Sequence, residues 1–491
     1  MSVRPTFFGL EIAKTGLVVS QKGLDVTGHN VANADTEGYT RQRLVNTAYE
    51  PYGVPTLLRP VDQAMVGGGA HVMILDQIRD QFLDRQFRTE NSTLGYWSAR
   101  TQGLTYVEGV FEGAETDSLT ESLNSFFEAL NVNTNESESS AFRTTLREAA
   151  ETLVTDFNLL YERLEQQQAA LDDTVEMLTT NINNIAAQIA DLNRTIYRYE
   201  LDGQPANDLR DKRNLLVDQL SEIVDIEYGE VGAEGQAFGG KFWLSIGGVN
   251  LVDHVDVGEL RCDPTPNNVA NSLLEYVNTV QWVKDANGEN ADSPLVMTDG
   301  KLKATVDLRD SAEFGDPDAE ASPGLPYFME QLNNLARAIV QKINETHKEG
   351  FTSSNVPDGS VAGGNFFDVL VNGGGIEDIS LVTAGNIALD ASIIESVYNI
   401  AASDRQIVMD VDDTDYAPAV STTHEGNNAN MAKMYSAISM KDIELTLLSG
   451  GTISIGGLFD FLDGIIVDVA VTLETSKSFE DARSVQTLAV A

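Results

Sequence analysis

The sequence predicts an α+β protein of several domains: long helices from both ends of the chain form a coiled-coil or hairpin bundle, and β-rich domains are inserted between them. Three observations predict it. Ser139 to Glu200 contains neither Gly nor Pro, a span of roughly 90 Å if wholly helical. Helical patterns also occupy the two ends, Phe7 to about Ala32 and Leu458 to Leu488. Between them lie stretches punctuated by glycine, in which apolar residues alternate as they do in strands.

The bulk numbers fit a folded chain. Its 491 residues exceed one ordinary core, and 42% hydrophobic with 22% charged residues is the balance of a globular protein. With 75 Asp and Glu against 32 Lys and Arg, the net charge of -43 repels phosphate backbones and anionic headgroups, so neither nucleic acid nor membrane insertion is expected. The single Cys262 excludes an intrachain disulfide framework and a cysteine zinc cluster. Met1 to Gly9 lacks the basic start and apolar core of a cleavable secretory signal, which leaves the cytosol or export without one.

The first region, residues 1–60, is read as a core helix and a following loop. Three sets recur every seven positions: Gly9, Gly16 and Gly23; Leu10, Leu17 and Leu24; Ile12, Val19 and Val26. At about 100° per residue, Gly9, Ala13, Gly16, Ser20, Gly23 and Thr27 form a stripe of small side chains with the leucines on one side and Ile12, Val19 and Val26 on the other. The resulting arc of roughly 200° is wider than a two-helix seam needs, and each interior glycine costs about 1 kcal/mol of helix stability. Such a helix calls for several neighbours.

Residues 61–228 are read as a helical rod. Apolar residues from Leu146 to Tyr199 recur in steps of three and four, with a stutter near Leu171 to Leu178, and Asn207 to Ile226 returns as the second arm of a hairpin. In 229–299 the parity of Phe242, Leu244 and Ile246, and of Leu274, Tyr276, Val280 and Trp282, with a turn at Asn287-Gly288, predicts a β-rich insertion. Helix returns in 300–350, where Phe328, Leu332, Leu335, Ala338, Ile339 and Ile343 share a face. A second β-rich or mixed insertion is expected over 351–425, and terminal helices that pair with the helical domain over 426–491, interrupted by glycine turns at Gly450-Gly451 and Gly456-Gly457.

No chemistry stands out. His29, His71, His254, His347 and His424 have no paired spacing, so no helix offers two imidazoles to a metal. The glycine runs at Gly67, Gly363 and Gly373 match neither a phosphate loop nor a dinucleotide fingerprint. Asp410, Asp412, Asp413 and Asp415 lack the central Gly and terminal Glu of a calcium loop. No catalytic residue, metal or cofactor is expected.

The segment Gly23-Leu24-Asp25-Val26-Thr27-Gly28-His29-Asn30-Val31-Ala32-Asn33-Ala34-Asp35-Thr36-Glu37-Gly38-Tyr39-Thr40-Arg41 resembles the amino-terminal signature of bacterial flagellar axial proteins, although Glu37 stands where that family usually has proline. Arg79-Asp80-Gln81-Phe82-Leu83-Asp84, Glu90-Asn91-Ser92, Asn207-Asp208-Leu209-Arg210-Asp211-Lys212-Arg213, Gly300-Lys301-Leu302, Arg309-Asp310, Asn344-Glu345-Thr346-His347 and Gly426-Asn427-Asn428-Ala429-Asn430 are similar to the hook-associated protein 1 branch of that family.

The resemblance implies a non-enzymatic junction layer between hook and filament. Its implied partners are copies of the chain, the hook protein, a second hook-filament junction protein and an export chaperone. It implies an extracellular, flagellar location reached by type III export, and a further terminal helix that would complete an inner tube and carry the chaperone's site. The expected assembly interface is Gly9, Leu10, Ala13, Gly16, Leu17, Ser20, Gly23, Leu24, Thr27, Asn30, Val31, Asn33, Gly38, Tyr39 and Arg41. A hook or distal-rod protein shares the first signature but not so long a hairpin. A cell-wall hydrolase or adhesin predicts instead a pocket of converging carboxylates or aromatics.

Overall fold

The computed structural model describes residues 7–49, 67–112, 119–133, 139–201, 203–232, 240–267, 274–289, 292–312, 323–353, 360–406, 409–410, 421–422, 426–446 and 452–490. The readings at Asp412, Asp413, Asp415, His424 and Gly450-Gly451 lie outside these residues.

Helix α1 (Phe8–Ala32) is followed by an antiparallel hairpin of β1 (Gln42–Ala48) and β2 (Ala70–Gln77). Four helices come next: α2 (Gln81–Glu112), α3 (Leu119–Asn133), α4 (Ser140–Glu200) and α5 (Asn207–Ile223). Strands β3 (Glu227–Val231), β4 (Lys241–Ile246), β5 (Val249–Asp253) and β6 (Asp256–Val257) pair in chain order as one antiparallel sheet, and β7 (Glu259–Pro266), β8 (Tyr276–Lys284) and β9 (Ser293–Pro294) as another. Helices α6 (Lys301–Asp310), α7 (Leu325–Lys348) and α8 (Ala391–Glu395) lead to a short ladder of β10 (Met409–Asp410) and β11 (Ser421–Thr422). The chain then forms α9 (Ala429–Ile438), the hairpin β12 (Ile443–Thr446) and β13 (Thr452–Gly456), and α10 (Leu458–Val490).

Helix α4 is one uninterrupted element of 61 residues, because nothing in it breaks the backbone ladder and its apolar positions repeat at helical spacing. Its first part, Leu146 to Leu171, sits in a core shared with α2, α3, α7, α9 and α10. Its last part, Val175 to Ala190, belongs to a second core with α5 and the two larger sheets.

The stutter falls elsewhere than the apolar residues alone suggest. The buried positions Leu160, Leu164 and Gln168 place adjacent steps of four about three turns earlier, because Gln168 is fully buried and donates to the Arg309 carbonyl at 2.9 Å. Near the tip Tyr199 is exposed, and polar Asn193 and Glu200 are buried on either side of Ile196. Asn193 Nδ2 donates to the His254 carbonyl at 2.9 Å, and Glu200 accepts from Arg210 at 2.6 Å.

In β4, Phe242, Leu244 and Ile246 all face the core. In β8 the buried set is Val277, Val280 and Trp282, and Tyr276 points out, so the strand's first residues leave the expected parity. Apart from α8, the described residues 351–353 and 360–406 run through isolated bridges and turns, held by side-chain to backbone hydrogen bonds in place of a regular ladder.

The expected α+β architecture with long helices at both ends is present, and the two terminal helices are seated differently. The face of α10 carrying Leu458, Leu462, Ile465, Val469 and Leu473 is buried, and the helix lies along α2 and α7. Its distal half is held by Phe479 stacked on Trp97 at 4.5 Å and by Arg483 on Glu90 at 3.0 Å, while Val485 and Leu488, expected on the same face, are exposed. Helix α1 rests on the β1–β2 hairpin and has no buried residue.

Candidate assembly surface

Which side of α1 is free follows from how the hairpin covers it. Ile12, Val19 and Val26 are half-buried on the hairpin side. A Cβ at Gly69 would meet the Thr15 side chain, and one at Gly23 would touch Leu44, so glycine permits close approach at Gly69. The leucine stripe has no such cover among the described residues: Leu10, Leu17, Leu24 and Val31 are 68%, 70%, 73% and 73% exposed. Gly9, Ala13, Gly16, Ser20 and Thr27 are exposed beside it, with open space around Gly9 and Gly16. The hydroxyls of Ser20 and Thr27 donate to the Gly16 and Gly23 carbonyls at 2.9 and 2.8 Å, so this face offers apolar surface with its polar groups already satisfied.

The loop after α1 is braced, not free. Asn30 Oδ1 accepts from the Gln42 amide at 2.9 Å and the Tyr39 hydroxyl at 2.8 Å, while its Nδ2 donates to the Gln42 carbonyl at 2.9 Å. Tyr39 also lies 2.9 Å from His29 Nδ1, and Asn33 donates back to the His29 carbonyl at 3.0 Å, closing the helix end. Gly38 has φ +74°, and a Cβ there would sit 3.1 Å from Leu215. Arg41 is exposed. The fifteen expected interface residues therefore divide: the stripe on α1 is open, while Asn30, Gly38 and Tyr39 orient it.

That brace is seated on α5. The Thr40 amide donates to Asp211 at 3.1 Å, Gln42 to Asp208 at 2.8 Å and Gln77 to Asp211 at 2.8 Å, and Asn207 donates to the Leu75 carbonyl at 2.9 Å. Burial pushes the Asp211 carboxyl up, and the Thr40 hydrogen bond works against that shift. Arg79 pairs with Asp84 at 2.7 Å and reaches Thr40 at 3.3 Å. Three sequence segments far apart in the chain, Gly23 to Arg41, Arg79 to Asp84 and Asn207 to Arg213, thus form one joint between α1 and the rod. The β1–β2 hairpin that completes it was not read from sequence, although Ala70–Gln77 is rich in β-forming residues.

The other quoted motifs are internal staples. Asn344 Oδ1 accepts from the Phe366 and Phe367 amides at 2.8 and 2.9 Å, and its Nδ2 donates to the Phe367 carbonyl at 2.8 Å. His347 is fully buried, with Nδ1 2.7 Å from the Gly364 carbonyl and Nε2 accepting from the Ala401 amide at 2.9 Å. Asn430 donates to the Ala401 carbonyl at 2.8 Å. Arg309 joins Asp172 at 2.6 Å and the Asn278 carbonyl at 2.9 Å, tying α6 to α4 and β8. Among the described residues, no group of three His, Cys, Asp or Glu is placed to hold a metal ion, and no helix is long and apolar enough to cross a membrane.

A rod whose polar motifs are used internally, carrying a terminal helix with an uncovered apolar stripe, defines a structural protein that is built into a larger assembly. Residues 104–367 match the family model described as the flagellar hook-associated protein FlgK helical domain, and residues 10–40 match the flagella basal body rod protein model. Flagellar hook-associated protein 1 of Bacillus subtilis is 28% identical over 80% of this chain and 75% of its own length. The protein of that name from Salmonella typhimurium is 26% identical over 81% of this chain, which spans 65% of that relative. The solved structure of the flagellar hook junction protein FlgK from Burkholderia pseudomallei has the same fold, with a TM-score of 0.61 at 13% identity, covering 83% of this chain and 98% of that one. The chain belongs to the flagellar hook-associated FlgK family. It is a structural component of the bacterial flagellum, in a family whose role is not enzymatic.

Proposed function

We propose that the chain forms the junction layer between hook and filament by packing the exposed stripe of α1 against copies of itself and its axial neighbours. The uncovered line of Leu10, Leu17, Leu24 and Val31 carries this reading. Burying one leucine side chain is worth about 1.5–3 kcal/mol, more than the cost of about 1 kcal/mol at each glycine beside it, so assembly supplies the stability that the isolated helix lacks. The small residues of the stripe admit a neighbouring backbone, while the Asn30 and Tyr39 brace sets the angle at which α1 leaves the rod.

The partners in this reading are further copies, the hook protein, a second junction protein and, before export, a chaperone. In this reading the chain is exported to the flagellum, and helix α1 faces the axis while the two larger sheets and the segment 360–406 project outward. The long α4–α5 hairpin favours the junction over a hook or distal-rod position. Complementing a strain that builds hooks but sheds filaments tests the reading by electron microscopy: the intact gene restores filaments, and replacing Gly16 and Leu17 with Glu leaves a folded chain that does not. Normal filaments with that double variant would falsify the assignment of α1.

A further inference from the structure

Five arginines, Arg79, Arg85, Arg88, Arg210 and Arg213, line one cleft between the end of β2, the start of α2, α5 and strands β3 and β4. Asp76, Asp84 and Glu230 line it as well. Each of these carboxylates is already held: Asp76 by Arg43 at 2.8 Å, Asp84 by Arg79 at 2.7 Å and Glu230 by Arg210 at 2.9 Å. Behind the wall, Asp218 is held by Arg88 and Glu200 by Arg210, both at 2.6 Å.

Donors are left over. Arg85 is exposed, gives Nε to the Gln81 carbonyl at 3.3 Å and makes no ion pair among the described residues. Arg88 and Arg213 are 3% and 4% exposed, and Nη2 of the first and Nε of the second have no hydrogen-bond partner among the described residues. Both guanidiniums are fixed in place, Arg88 4.2 Å above the Tyr228 ring and Arg213 4.2 Å above Phe242. Each of the two holds one unmatched N–H in a fixed place, which loses little freedom on meeting an anion, and exposed Arg85 adds a guanidinium with no ion pair among the described residues. In a chain of 75 acids and 32 bases, this concentration of arginine runs against the prevailing field.

We propose that the cleft receives a carboxylate side chain from a neighbouring copy of this chain. The proposal rests on the assembly reading above. A copy with a net charge of -43 is rich in carboxylates to offer, and a guanidinium such as that of Arg85 donates two parallel hydrogen bonds to such a group. Gln77 and Asn207 also line the cleft and hold the α1 joint to α5, so an occupied cleft abuts the element that orients the apolar stripe.

The test is calorimetry of the full chain with hexaglutamate and hexaglutamine at low salt, beside complementation. Hexaglutamate binds and hexaglutamine does not. Arg85→Glu weakens hexaglutamate binding by about tenfold or more with an unchanged melting temperature, since Arg85 is exposed and unpaired. In cells the same variant impairs junction formation. Hexaglutamate that fails to bind, or binds the variant equally well, overturns the cleft. Arg85→Glu cells with normal filaments overturn the neighbouring copy as occupant, whereas Leu17→Glu cells with normal filaments overturn the assembly reading itself, so the two failures are read separately.

Discussion

His347 makes the fold acid-sensitive at one identifiable point. Its ring is enclosed, one nitrogen lies against the Gly364 carbonyl, and the other accepts a hydrogen bond that only the neutral form can accept. Burial, reinforced by Arg143 and Lys348 and opposed by the Gly364 hydrogen bond and Asp390, holds its pKa down at about 4 from an ordinary 6.5. A folded-state pKa below the unfolded one means that protons favour the unfolded chain. The contribution is therefore complete above pH 6.5 and is lost as pH falls toward 4, to a total of about 3 kcal/mol, of which about 2 kcal/mol has gone by pH 5.

Many carboxylates titrate over the same range, so the measurement is the difference between the chain and its His347→Gln variant in urea unfolding at pH 7.5 and pH 5. At neutral pH the variant is less stable, because the Ala401 amide or the Gly364 carbonyl loses its partner. Acid narrows that gap by about 2 kcal/mol. A gap that does not change with pH, or a His347 ring that titrates above pH 6 by NMR, refutes the reasoning.

Replacing Arg309 with Ala leaves Asp172 without its cation beside a buried wall and is expected to cost about 3–5 kcal/mol in urea unfolding, with Lys restoring only part; a loss under 1 kcal/mol contradicts the staple. Gly38→Ala forces a side chain onto a positive φ against Leu215, for a cost of about 1–3 kcal/mol, and limited proteolysis should then cut sooner between Asn33 and Arg41. Leu17→Glu should leave monomer stability within about 0.5 kcal/mol, since the side chain is mostly exposed; a large drop in melting temperature would show that the stripe is covered within one chain.

Much of the helical frame was legible because backbone rules act locally. A stretch with no Gly or Pro and a steady apolar repeat could hardly be anything but α4, and Phe328 to Ile343 named the buried face of α7 correctly. Buried polar residues were hidden from that reasoning: Gln168 and Asn193 occupy core positions because partners farther along the chain satisfy them, and Glu200 because Arg210 meets it across the hairpin turn, which no periodicity reveals. The arc on α1 was visible, but whether the Ile-Val or the leucine side stays free depends on a hairpin contributed by Gln42–Ala48 and Ala70–Gln77. Likewise, Asn30 and Tyr39 carry no local sign that they brace the helix instead of meeting a neighbour. The β12–β13 hairpin escaped notice because its strands are short, Ile443–Thr446 and Thr452–Gly456.

Helix α4 passes through both interiors without interruption, so there is no joint along it at which one half could swing while the other stays still. In the assembly proposed above, torque entering through the α1 joint would pass into α5 and then along a stiff shaft to the far core. In that assembly such a part would act as a lever: small tilts at its seated end would become large sweeps at the far core, and the compliance would lie in the contacts between subunits.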